Sequence, residues 1–140
     1  VSLPVQLGQV SMNPSIGVLG ILGVVFFAVG LFFETVGDIQ LARFKANTAN
    51  AGKVMQSGLW KYTRHPNYFG DACVWWGLAL IAAEAEIGIV GIVGAVVMSI
   101  LLRKVSGVTL LEKSLKKRKE GYNEYVARTS AFIPRPPKKI

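Results

Sequence analysis

The chain has 140 residues, of which 51% are hydrophobic and only 17% charged, with a net charge of +8 and a mean hydropathy of +0.42. A soluble domain carries about 25% charged residues, so this composition argues against a solvated globule and for an all-α integral membrane helical bundle. One cysteine, Cys73, excludes an internal disulfide framework, and one histidine with one cysteine excludes a zinc site built by this chain alone.

Val1–Met12 (VSLPVQLGQVSM) reads as the end of an upstream apolar helix. It has no basic n-region with a small-residue cleavage site, so residues 1–140 are expected to form a single membrane domain, the C-terminal portion of a larger bundle. Asn13-Pro14-Ser15 is a helix start signal. Ile16–Phe33 carries no charge and, at about 1.5 Å per residue, spans roughly 27 Å. That first span is expected to run to about Thr35. Glu34 and Asp38 share a helix face where it leaves the bilayer, with Arg43 and Lys45 within two turns. Asn47–Gly52 (NTANAG) is a turn-rich break, and Val54–Tyr62 reads as a short amphipathic piece whose Leu59, Trp60 and Tyr62 suit a membrane interface. His65 precedes a proline and is biased away from helix, so a second span is expected to start at Pro66 or Asn67 and run through Ala72–Ala83. Ile87–Leu102 is a third uncharged run, ending at Arg103-Lys104. Val108–Glu120 (VTLLEKSLKKRKE) reads as an interfacial helix with Leu110, Leu111 and Leu115 on one face, stopped by Gly121. The tail Phe132–Ile140 is too rich in proline to be helical. The reading is therefore about three transmembrane helices plus a C-terminal interfacial helix. A soluble protein with buried helices is the alternative, but all three runs are apolar on every face.

The charges are distributed unevenly. Every Lys and Arg lies within Arg43–Arg64 or Arg103–Lys139, while the turn between the second and third runs holds Glu84 and Glu86 and no basic residue. The positive-inside rule then puts the Arg43–Arg64 loop and the C-terminal tail in the cytoplasm and the two glutamates on the other side. Basic residues flanking apolar spans suit anionic lipid or a phosphate group better than nucleic acid, and no nucleic-acid or protein partner is expected. The partners expected are membrane lipid and a lipophilic small molecule.

GLWKYTRHPNYFGD, Gly58–Asp71, concentrates polar chemistry at the mouth of an apolar run. Polar and ionisable groups at membrane depth are costly, an unpaired Asp about 2.5 kcal/mol or more, and suggest function. Arg64 offers a planar fork for a phosphate or carboxylate, or anchors the cytoplasmic side. His65 can supply or position a proton, or simply hydrogen-bond a helix end. Asn67 can read an amide or cap the helix. Tyr68 can donate a proton, stack on a ring or sit as an interfacial aromatic. Gly70 lets a backbone or a flat ligand come close. Asp71 calls for a ribose hydroxyl, Arg64 or a neighbouring helix as its partner.

These residues, with WWG, LLEK, GYNEY and SAFIPRPP further on and FETVGDIQLARFK before them, closely resemble a bacterial membrane family of the steroid 5-alpha-reductase C-terminal-domain type. The resemblance covers nearly the whole chain. Its wider clan holds sterol ring reductases and isoprenylcysteine carboxyl methyltransferases, which use this half of the protein as a cofactor cradle open to the cytoplasm. RHPNYFGD looks like the sterol reductase signature, in which the Asn and the acid contact NADPH. The resemblance therefore implies an NADPH-dependent reductase of a carbon–carbon double bond in a steroid-like or other lipophilic substrate. The alternatives are an S-adenosylmethionine-dependent methyltransferase with the same cradle, or a non-catalytic membrane scaffold. It implies Asp38 and Lys45 as further nucleotide contacts. The stretch after Arg103 has no histidine where steroid 5-alpha-reductases have several, and Arg103 with Glu112 is similar to the Arg…Glu pattern of the sterol reductases and methyltransferases. The expected cofactor residues are thus Asp38, Lys45, Arg64, Asn67, Gly70, Asp71, Arg103 and Glu112. His65, Tyr68 and Tyr125 are the candidates for proton chemistry, and no metal is expected.

Overall fold

The computed structural model describes residue 2 and residues 16–84, 88–105 and 108–139. The upstream element at Val1–Met12, the start signal at Asn13–Ser15 and Glu86 lie outside the described residues. Helix α1 spans Val18–Ala46. It continues well past Thr35, because nothing between Val36 and Ala46 breaks a helix before Asn47 turns extended and accepts a hydrogen bond from the Ala49 amide. The Gly58–Lys61 segment makes only a 3₁₀ turn. Helix α2 starts at Pro66, with His65 outside the helical region before it, and runs to Ala82. Helix α3 covers Ile92–Ile100 and passes into a π-helical turn, Leu101–Val105. Helix α4 covers Val108–Arg118, and α5 covers Tyr122–Arg128. Gly121 joins α4 to α5 at φ 77°, a left-handed geometry that glycine adopts without a Cβ penalty. Among the described residues there is no β-strand, and the fold is all-helical.

The packing runs opposite to that of a soluble core. Helix α1 buries Gly20, Gly23, Gly30 and Gly37 and exposes Ile21, Leu22, Val25, Phe26, Leu31 and Phe32. Helix α3 likewise buries Gly94 and Ala95 and exposes Val93, Val96, Val97 and Ile100. Small residues inside and large apolar ones outside are the arrangement of helices solvated by lipid, where close backbone approach rather than water exclusion holds a pair together. This arrangement favours helices in a membrane over a soluble core.

The α1–α2 seam shows why those glycines are there. Gly23, Gly30 and Gly37 recur at heptad spacing on α1, as Gly70 and Gly77 do on α2. A Cβ on Gly30 would lie 2.5 Å from the Gly70 carbonyl oxygen, and one on Gly77 would lie 2.6 Å from the Gly23 carbonyl oxygen. The two backbones touch, so no other residue fits. At the far end of the seam, the Glu84 carboxylate accepts the Gly20 amide at 2.7 Å and satisfies an otherwise free N–H at the start of α1. Trp76 on α2 donates to Ser99 on α3 at 2.9 Å.

By length and composition, two helical stretches among the described residues can cross a membrane, Val18–Ala46 and Ile92–Arg118. The 17 residues of α2 reach roughly 25 Å, at the short end of what crosses a core about 30 Å thick.

Candidate functional site

One end of the α1–α2 pair gathers most of the residues expected to act. Trp60 Nε1 donates to the Gly37 carbonyl at 3.0 Å, and the Leu59 amide donates to Gln40 Oε1 at 2.9 Å, so the loop before α2 is pinned to α1. The C-terminal tail folds back onto that loop. The Arg64 amide donates to the Ser130 carbonyl at 2.9 Å, Thr63 Oγ1 to the Phe132 carbonyl at 2.8 Å, and the Arg135 amide to the Tyr62 carbonyl at 3.0 Å. This is how the non-helical SAFIPRPP segment is used: its backbone completes the hydrogen bonding of a short irregular stretch, 62–64.

Arg64 lies inside this knot, 8% exposed. Its Nε and Nη2 meet the two oxygens of Glu112 at 2.7 and 3.2 Å, a bidentate pair. Its Nη1 donates to the carbonyls of Val126, at 3.0 Å, and Thr129. His65 is 1% exposed, and its Nε2 sits 3.0 Å from the same Glu112 oxygen. Glu112 therefore joins α4 to the start of α2 through two cationic or cation-forming side chains. Burial pushes its carboxyl up, but the hydrogen bonds from His65 and Arg64 and the charge of Arg64 outweigh that and lower it to about 2. In the tautomer that donates Nε2–H to the Glu112 carboxylate, Nδ1 is left as an acceptor. The ring of Tyr68 stacks on the imidazole, centroids 5.5 Å apart and 5° between planes.

Asn67 and Asp38 meet on the open side. Asn67 Nδ2 donates to Asp38 Oδ1 at 3.1 Å, and Asn67 Oδ1 accepts the Tyr68 amide at 3.0 Å. Asp71, one turn further, is half-buried and bonds Trp75. Gly70 is consumed by the helix seam, where it packs on Gly30 and the Glu34 backbone. Lys45 is exposed in the last turn of α1. Lys119 comes close to it, with Nζ donating to the Lys53 carbonyl at 2.6 Å. Burial, and after it the charges of Lys45 and Arg118, hold the Lys119 ammonium below its usual range.

Two expected residues stand apart. Arg103 is not the partner of Glu112: its guanidinium lies over the Phe132 ring, 5.6 Å from the centroid, a cation–π contact on the tail. Tyr125 is buried, and its hydroxyl donates to the Trp60 carbonyl. Burial, with Tyr122 beside it, pushes that hydroxyl well above the usual phenol range. The residue that sequence reasoning missed is Tyr122. Its hydroxyl is buried near the Arg64 guanidinium, without a hydrogen bond of ordinary geometry among the described residues. Burial first, then the Glu112 charge, against the opposing effect of Arg64, raises it to about 12. A buried hydroxyl left without an ordinary hydrogen bond beside a buried ion pair is the kind of exception that calls for a reason. The only sequence signal for it is its helical register with Tyr125 in GYNEY.

A family model described as "Protein of unknown function (DUF1295)" matches residues 1–129. The chain belongs to this DUF1295 family. The family sits in the membrane clan of steroid 5-alpha-reductase-like and methyltransferase-like proteins. Among known proteins, "Probable O-methyltransferase ustE" of Ustilaginoidea virens is 40% identical over 73 residues, which is 52% of this chain and 24% of that protein. The matched region is thus about a quarter of that relative's length. No solved structure matches the chain. Family and relative together suggest a membrane-associated enzyme.

Proposed function

We propose that this DUF1295 chain is the cofactor-binding part of a membrane-embedded NADPH-dependent reductase acting on a carbon–carbon double bond of a lipophilic substrate. The observation that carries the reading is the Asn67–Asp38 pair, which joins the two helices at 3.1 Å on the solvent-facing side of the mouth. It presents an amide and a carboxylate side by side, a fit to a carboxamide and a ribose hydroxyl. Lys45 and Lys119 converge at the adjacent end of α1 and suit a diphosphate. Arg64 and Glu112 are spent on each other, so their part is to hold His65 and the start of α2 in place. When bound, NADPH supplies the hydride. His65 Nδ1 and the Tyr68 hydroxyl are the groups placed to accept or relay a proton. In this reading all three apolar runs traverse the bilayer, α2 in a locally thinned or protein-lined region. The mouth, the lysines and the tail then face the cytoplasm, as the basic loops favour.

A methyltransferase using S-adenosylmethionine is the second reading, favoured by the 40% identity to the named O-methyltransferase. Titrating the full-length protein in detergent with each cofactor separates the two. NADPH is expected to bind, and Asn67→Ala or Asp71→Ala to weaken it at least tenfold, about 1.4 kcal/mol. Binding of S-adenosylmethionine alone selects the second reading, and undiminished NADPH binding by the variants removes the site assignment.

A further inference from the structure

Between the end of α5 and the folded-back tail lies a cleft of about 260 Å³. Arg64, Arg128, Thr129, Ser130, Arg135 and Lys138 border it, and no carboxylate does. Its lining includes none of Asp38, Lys45, Asn67 or Asp71, so it is separate from the mouth between α1 and α2. Two of its cations are balanced: Arg64 by Glu112 at 2.7 Å and Arg128 by Glu124 at 2.9 Å. Arg135 and Lys138 have no counter-ion among the described residues. Both side chains are exposed, and their backbones are anchored at the cleft. The Arg135 amide donates to the Tyr62 carbonyl at 3.0 Å, and the Lys138 amide donates to the Arg128 carbonyl at 2.9 Å. Two positive charges on the border of one cavity, with no carboxylate in its lining, give the cleft a positive potential. An anion seated between them is attracted by that potential.

We propose that this cleft binds a phosphate-bearing anion. An Arg fork and a Lys point charge are the usual pair for phosphate oxygens. The volume lies below the 300–1,000 Å³ of pockets that take a whole small molecule. It therefore receives a phosphate or diphosphate group whose remainder projects outward. That group belongs either to a soluble diphosphate compound or to an anionic lipid headgroup. The proposal does not depend on which cofactor occupies the mouth.

The test is calorimetric titration of the full-length protein in neutral detergent. One arm uses inorganic pyrophosphate; the other compares short-chain phosphatidylglycerol with short-chain phosphatidylcholine. Arg135→Gln with Lys138→Gln keeps both backbone donors and is expected to fold as the parent does, by circular dichroism. It is expected to weaken binding at least tenfold. Lys116→Gln with Lys117→Gln removes the same charge elsewhere and is expected to leave binding unchanged. Loss confined to the pyrophosphate arm assigns a soluble ligand, and loss confined to phosphatidylglycerol assigns a headgroup. No saturable binding in either arm, or equal weakening by the Lys116/Lys117 variant, overturns the proposal, whatever NADPH does at the mouth.

Discussion

Between α1 and α2 the buried atoms are glycine backbone, and the large side chains face outward. At one end of the same pair the packed atoms are polar: the buried Arg64 guanidinium and His65 imidazole, both within 3.2 Å of the Glu112 carboxylate. The first region is held by the closeness that small residues permit. The second is held by a network in which each polar group has a stated partner. The difference teaches which failures each tolerates. The seam fails when a side chain is added, and the knot fails when one is removed.

The largest effect is expected at Glu112. Replacing it with Ala leaves the Arg64 guanidinium and His65 buried without their shared acceptor, and breaking a buried pair from one side costs about 3–5 kcal/mol. Unfolding in denaturant should show that loss, and Glu112→Gln should recover only part of it. The same carboxylate sets a pH dependence. Its folded value is lowered from 4.5 to about 2. Its contribution is therefore complete above about pH 4.5 and disappears as the pH falls toward 2. Glu112→Gln should flatten that acid limb, and an unchanged acid limb would mean that other carboxyls carry it.

The seam comes next. Gly30→Ala places a Cβ 2.5 Å from the Gly70 carbonyl oxygen and 2.6 Å from the Val74 nitrogen. These are backbone atoms that cannot swing away, so the helices must separate, at about 1–3 kcal/mol. Gly52→Ala meets nothing within 4 Å but sits at φ 77°, so its cost is backbone strain alone. Comparing the two by thermal unfolding separates steric from conformational loss. A tolerated Gly30→Ala would mean that α1 and α2 do not pack as seen.

How far the sequence foretold each region follows from what holds it. The proline at the start of α2 and the turn at Asn47–Gly52 are local signals that lie where they were read, whereas α1 runs on to Ala46 and α4 ends at Arg118, before Gly121. The glycine seam was legible in principle, since heptad spacing is visible in the letters, but an apolar run draws attention to its large residues rather than its gaps. The second span starts at Pro66, as read, and Tyr68, Phe69 and Gly70 belong to its first turns, so the helix runs from Pro66 to Ala82. The knot was the least legible. Glu112 was paired by pattern with Arg103, nine positions before it. Its partners Arg64 and His65 lie more than forty residues away and are reached only because α4 folds back. Charge in sequence says that a partner is needed, not which one.

Tyr122 sharpens the comparison by reversing the sign. A buried hydroxyl without an ordinary hydrogen bond carries a desolvation cost that Phe does not. Tyr122→Phe is expected to raise the unfolding free energy by about 1 kcal/mol, against the losses at Glu112 and Gly30. If the variant is instead destabilised, the hydroxyl has a partner in solution and belongs to the knot after all.

The smallest stability effect is expected at Asn67, and its smallness is the point. Its bond to Asp38 lies on the exposed side, where water replaces a lost partner at little cost. Asn67→Ala should change the unfolding free energy by no more than about 0.5 kcal/mol, while weakening NADPH at least tenfold. A residue of the knot cannot show that separation, because its neighbours are buried with it. If Asn67→Ala lowered stability as much as Glu112→Ala, the mouth would be an extension of the knot. Its amide and carboxylate would then be committed to the fold, and the open polar edge that a cofactor requires would have to lie elsewhere on the helix pair.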